Sequence, residues 1–156
     1  MSAAQVLSIA EPVRAAQTHS IFVTLRLGGQ LFGVPVTHVQ DVIRKQRITP
    51  VPLAPSVVAG VLNLRGRIVT AIDMRKRLGL EPSTNTDKLM KIVVEHHHEL
   101  FALMVDAVGD VQNLPNAAME KPPANMDEAW RAVSTGVYKL EKELLVILDI
   151  ENIVNV

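Results

Sequence analysis

The side chains of this sequence that could do chemistry are few, and their spacing argues against most of it. His96, His97 and His98 offer three imidazoles of the kind that bind zinc-class metals. Adjacent residues seldom converge on one ion, and no further histidine cluster lies near them in the chain. The run therefore reads as an exposed turn, and no metal is expected. Asp41 and Asp110 could be taken for a general acid–base pair, but they occupy matching places in an internal duplication. Two copies of one structural feature explain them better. Arg65, between Leu64 and Gly66, is a planar guanidinium in a turn. It can satisfy a loop carbonyl, pair with Asp73 or face a partner, and a rigid fork can do more than one of these. With no cysteine in the chain, thiol nucleophiles, thiolate metal sites and disulfides are excluded. There is no phosphate loop, no glycine-rich dinucleotide turn and no arguable Ser-His-Asp spacing. The chain is expected to be no enzyme and to hold no cofactor.

The duplication organises everything else. Leu31 to Val42 reads LFGVPVTHVQDV and Leu100 to Val111 reads LFALMVDAVGDV, a shift of 69 positions with six identities in twelve. A second block, Gly60 to Met74, matches Gly136 to Ile150 at a shift of 76, with Gly, Val, Leu and Asp identical. The additional residues fall where Pro115, Pro122 and Pro123 mark an irregular connection. One β unit of about 65 residues thus occurs twice. Each opens with two apolar runs around a tight turn, Gly28-Gly29-Gln30 in the first and His97-His98-Glu99 in the second. Gly66-Arg67 leads into another strand, and Asp73 to Leu80 suits a short helix ending at Gly79.

Short β-branched strands broken by Gly, Pro and Asn suggest small barrels, because closure removes edges that would aggregate. The expected fold is mainly β, with short helices. Two similar five-stranded, SH3- or OB-like barrel subdomains share a hydrophobic core, the first over about 20–87 and the second over about 88–156. Residues 1–19 read as a flexible leader. A groove between related, largely aliphatic walls would be the functional surface. Sixteen basic residues balance sixteen acidic ones, and aromatics make up 3% of the chain. Both facts weigh against a single-stranded nucleic-acid-binding barrel, the leading alternative. The longest aliphatic run, Leu144 to Leu148, is far short of the roughly 20 residues of a membrane helix. Without a basic segment ahead of an apolar one at the start, a cytoplasmic location is expected.

The stretches GVPVTHVQDVIRK, ITPVPLAPSVVAGVLNLRGRIVTAIDMRKRLGL, FALMVDAVGDV and GVYKLEKELLVILDIENIV resemble the CheW family of chemotaxis coupling proteins, from about Ser20 to Val154. The most specific part runs from Pro50 through Gly60 and Asn63-Leu64-Arg65-Gly66 to Asp73-Met74-Arg75. The resemblance implies two β subdomains and an adaptor without chemistry. Such an adaptor joins the cytoplasmic tips of methyl-accepting chemotaxis receptors to the regulatory domain of the histidine kinase CheA. Similar domains, other CheW copies among them, can alternate in rings. By resemblance, Val39, Asp41, Gly60, Arg65 and Val111 fall on receptor-coupling positions, and Val36, Val105 and Val108 line the same groove. Ile48 and Ile68 fall at the kinase-facing end. On the residues alone, the glycines are turn formers first, and the valines are more often core than groove, with some of each expected. The chain departs from the family in Thr70-Ala71-Ile72-Asp73, where a proline usually precedes the aspartate. The long helical tail and the receiver domain of some relatives are not expected.

Overall fold

Three two-residue turns set the strand pattern. Gly28-Gly29, Arg65-Gly66 and His97-His98 each hold two consecutive residues at positive φ, between 50° and 86°. This geometry follows the natural twist of antiparallel strands. The turns join β1 (His19–Leu27) to β2 (Gln30–Pro35), β4 (Val58–Leu64) to β5 (Arg67–Asp73), and β6 (Met90–His96) to β7 (Glu99–Val105). The remaining strands are β3 (Val39–Ile43), β8 (Ala107–Pro115), β9 (Ser134–Lys139) and β10 (Leu144–Leu148). Among the described residues, three short α-helices follow strands or loops: α1 (Met74–Arg77), α2 (Glu128–Ala132) and α3 (Ile150–Val154). The aspartate shared by the second repeated block caps two of them. Asp73 accepts from the Lys76 amide and Asp149 from the Asn152 amide. The computed structural model describes residues 18–44, 46–84 and 88–155. Most of the expected leader lies outside the described residues, and its last residue, His19, already belongs to β1.

The strands form two five-stranded sheets, ordered β8-β1-β2-β10-β9 and β3-β6-β7-β5-β4. Replacing each strand of the first sheet by its counterpart in the duplication gives the order of the second. The register matches too. Leu31 lies opposite Leu145 as Leu100 lies opposite Val69, and Leu25–Val108 corresponds to Val94–Val39. The halves of the chain, however, do not each make a sheet. The β1–β2 hairpin pairs with β8 and β10 from the second half, and the β6–β7 hairpin pairs with β3 and β5 from the first. A division into barrels of about 20–87 and 88–156 is therefore corrected. The reason is the parallel pairing of β2 with β10 and of β5 with β7, which crosses between the halves.

The sheets are also open and not closed barrels. Each is curled until the chain leaving one edge makes a single bridge to the other, Thr49 to Val61 in one sheet and Glu120 to Val137 in the other. These bridges are again equivalent in the repeat, and each needs a glycine beside it. A Cβ on Gly60 would overlap the Thr49 carbonyl oxygen, and one on Gly136 would stand 2.8 Å from that of Glu120. One face of each sheet contributes to a shared core, through Leu25, Phe32, Val34 and Val146 on one side and Ile92, Val94, Leu103 and Val105 on the other. The opposite faces bury smaller clusters of their own, one around Val69, Ala71 and Val93 and one around Phe22, Tyr138 and Ile147. Central strands buried on both faces lose polar alternation. That is why β7, from Leu100 onward, and β10 read as continuous apolar runs. No helix among the described residues is long and apolar enough to cross a membrane.

One ion pair clamps the two sheets. Arg75, in α1, meets Asp106, between β7 and β8, through two parallel bonds of 2.8 and 2.6 Å. The same carboxylate accepts from the Gly28 amide at the β1–β2 turn, at 2.9 Å. The Arg75 hydrogen bond holds the Asp106 carboxyl below its usual range, burial opposes this, and the Gly28 amide adds to the lowering. A lowered carboxyl stabilises the fold above the ordinary carboxylate range and loses that contribution as pH falls through the folded-state value. Asp106→Asn should lower the melting temperature by about 4 °C near neutral pH. The gap from the parent protein should shrink in melts taken at progressively lower pH, and a gap that stays constant would show that the carboxylate charge is not the stabilising element. Gly60→Ala should cost about 3 kcal/mol, from the clash together with its φ of 151°. Gly66→Ala meets no atom within 4 Å and should cost about 1 kcal/mol through its positive φ alone. Urea unfolding of both variants tests this order, and the reverse order would mean that the Thr49 segment yields freely.

Candidate functional site

The repeated element Val-x-Asp-Val, at 39–42 and 108–111, occurs on β3 and β8, which are edge strands of their sheets. Each carries a bulge. Val39 and Val42 lie opposite Val94 and Ile92, and Val108 and Val111 lie opposite Leu25 and Val23. Two partner positions span three residues on the bulged strand, so valines three apart share a face. Val39 and Val108 pack against the shared core. Val42 and Val111 continue outward and are 37% and 61% exposed. Val36, in the turn Val36–His38 that follows β2, and Ile21, on β1, are 38% and 43% exposed. Because Pro35 lies opposite Phe22 and Val111 opposite Val23, both exposed valines flank the start of β1. The result is an apolar margin along the face by which the sheets pack.

Beside this margin the structure joins two residues that the sequence placed far apart. Arg65 Nη2 donates to Asp41 Oδ2 at 3.0 Å, and Asp41 Oδ1 accepts from the Val42 amide at 2.8 Å. Arg65 does not pair with Asp73, whose carboxylate is engaged as the α1 cap. The Arg65 side chain remains 78% exposed, so the pair is a surface feature that contributes little to folding. It spans from β3 to the β4–β5 turn, the two opposite edges of one sheet, and this is possible only because the sheet is curled. Asp110 has no equivalent role. Its backbone carbonyl accepts from the Thr24 hydroxyl at 2.5 Å.

The other expected site residues divide by burial. Gly60 is buried and shapes the chain crossing at Thr49, and Val105 has no exposed surface. Neither lies at the surface, although Val105 matches the exposed Val36 in the repeat. Ile48 is partly buried against the cluster around Val69, whereas Ile68 is 65% exposed on β5 opposite Asn63. The structure does not bring Ile68 into the valine margin. Sequence reasoning missed Val42 and Ile21. The signal for Val42 was present, since it is one of the six identities in the repeat, but a bulge is needed to see that it shares a face with Val39. It also missed Leu53, fully exposed at φ 65° among the prolines of the segment 50–55.

Comparison with known proteins agrees with this geometry. The family model for the CheW-like domain matches residues 22–156. The chain is similar to a probable chemotaxis protein CheW of Rhizobium etli, 27% identical over 83% of each chain. It is also similar to the chemotaxis protein CheW of Thermotoga maritima, 31% identical over 80% of this chain and 81% of that one. Among solved structures, the scaffolding protein TtCheW from Thermoanaerobacter tengcongensis superposes with a TM-score of 0.74 at 29% identity, covering 83% of this chain and 88% of the other. With its duplicated β units, their shared core and a family match over nearly the whole length, the chain belongs to the CheW-like domain family.

Proposed function

We propose that this protein is a non-enzymatic adaptor that couples the cytoplasmic tips of chemoreceptors to the regulatory domain of CheA and passes receptor control to the kinase. The observation that carries this reading is the apolar margin built by the two bulged edge strands. Exposed Val36, Val42 and Val111, with Val39 and Val108 packed on the core beside them and an ion pair next to Val42, suit the apolar stripe of a partner helix. It offers no set of groups for bond making. Family membership and the scaffolding role named for TtCheW support the same conclusion. In this reading Asp41 and Arg65 orient the receptor helix, while Gly60 and Val105 hold the surface in shape. Ile68, with Ile48 beneath its sheet, faces the kinase, and the adaptor works in the cytoplasm at receptor arrays, where copies can alternate with kinase domains in rings.

Arg65→Ala should keep the melting temperature within a few degrees, yet lose receptor-dependent activation of CheA in a reconstituted ternary assay. Full activation by the folded variant would remove Arg65 from the site. Ile68→Glu, also at an exposed position, should weaken binding to the isolated regulatory domain at least about tenfold in calorimetry while leaving receptor binding intact. Unchanged kinase affinity would show that the kinase engages another face.

A further inference from the structure

We propose that His96, His97 and Glu151 form a binding site for a zinc-class divalent transition-metal ion. A cleft of about 330 Å³ opens at the tip of the β6–β7 hairpin, lined by His96, His97, Glu99, Phe101, Glu151 and Val154. Consecutive residues of a strand point to opposite faces, and for that reason neighbouring histidines seldom share a ligand. Here the strand ends at His96, and His97 takes a left-handed φ of 50°, which abolishes the alternation. The two rings come together with centroids 4.0 Å apart at 63°. The third group arrives from the far end of the chain. Ile150, Ile153 and Val154 anchor α3 in the shared core, and this fixes Glu151, between them in the sequence, over the cleft. One ligand atom from each of the three residues lies within 4.8 Å of the others.

Tetrahedral coordination at zinc bond lengths places ligand atoms about 3.4 Å apart. The gap closes by side-chain rotation, since His97 and Glu151 are exposed and His96 is only half-buried. The core need not move. Two neutral imidazoles with one carboxylate suit zinc, cobalt, nickel or copper, and not calcium or magnesium, which require more oxygen ligands. A fourth position stays open to water. His98 is not a member, for its Nδ1 lies 3.9 Å from the Glu95 carboxylate. Glu99 places a second carboxylate on the cleft wall, which favours a cation. A bound ion would tie the hairpin tip of one sheet to the helix that follows β10 of the other, and so would stabilise the folded chain by mass action.

The test is calorimetric titration of tag-free full-length protein with zinc chloride, paired with thermal melts and with visible absorption in cobalt chloride. One ion should bind in the micromolar range, raise the melting temperature by several degrees at saturating zinc, and give the intense d–d bands of tetrahedral cobalt. His97→Asn retains a residue that tolerates a left-handed backbone, and Glu151→Gln retains the shape of the helix. Each should weaken zinc at least about tenfold while the apo protein keeps its melting temperature. His98→Ala should bind as the parent does. Wild-type affinity in either folded variant would overturn the proposal. So would absence of zinc binding, or an equal loss in His98→Ala, which would mark capture by the histidine run without Glu151.

Discussion

The parallel contacts of β2 with β10 and of β5 with β7 are the constraint on which the remaining structure depends. Antiparallel neighbours can be made locally by a tight turn, and β1–β2, β4–β5 and β6–β7 are made that way. Parallel neighbours need a long connection. Here it is supplied by exchanging hairpins between the two copies of the unit. The opening hairpin of each copy therefore completes the sheet of the other, and neither copy can bury both faces of its central strands by itself. The large shared core follows from this exchange, because Phe32 and Val146, neighbours across one parallel pair, and Leu103 from the other reach the same cluster. It also makes the fold depend on contacts distant in sequence, an arrangement that slows folding relative to locally connected folds.

Interleaving leaves the joints between sheets to be secured, and the chain does so at the crossings. Asp106 sits where the chain passes from β7 to β8, hence from one sheet to the other. Its carboxylate gathers Arg75 and the Gly28 amide, and its own amide donates to the Arg26 carbonyl at 3.1 Å. A single residue thereby fixes the ends of four elements. At the other margin the bulges in β3 and β8 have a double consequence. They twist the edge strands and interrupt the regular ladder, which discourages unwanted edge pairing. They also turn two valines of each strand to the same face, and the apolar margin exists for that reason.

Much of this was legible in the residues. The two shifts, 69 and 76, carry the equivalence of every strand, and the turn at His97-His98 is the counterpart of Gly28-Gly29 in the structure as in the alignment. The exchange of hairpins was not legible, because a repeat tells which elements are alike and says nothing of which elements are neighbours. Closed barrels were expected for a sound reason, the removal of edges, but a curled sheet with one bridge and a glycine achieves nearly the same protection. Arg65 found Asp41 and not Asp73 because an aspartate ahead of a helix is already committed to its first-turn amides. Val105 and Val36 show the limit of arguing from matched positions. They are identical in type, yet one is wholly buried and the other more than a third exposed.

That difference belongs to a wider asymmetry, and it bears on how a duplicated surface can have one orientation. A margin built from two valine strips related by the repeat would accept an apolar helix equally well in two opposed directions. Charge breaks the equivalence. The repeat counterpart of Arg65 is Glu141, and that of Asp41 is Asp110. A guanidinium faces a carboxylate on the β3 side, whereas the β8 side carries two acids that cannot pair with each other. Glu141 and Asp110 are both exposed, so the β3 side presents an ion pair where the β8 side presents two exposed carboxylates. An apolar stripe supplies affinity without direction, and a difference in charge between its two sides supplies direction at little cost in stability. The duplicated scaffold thus provides the shape, and an acid in one copy where the other has an arginine makes its two sides electrostatically distinct.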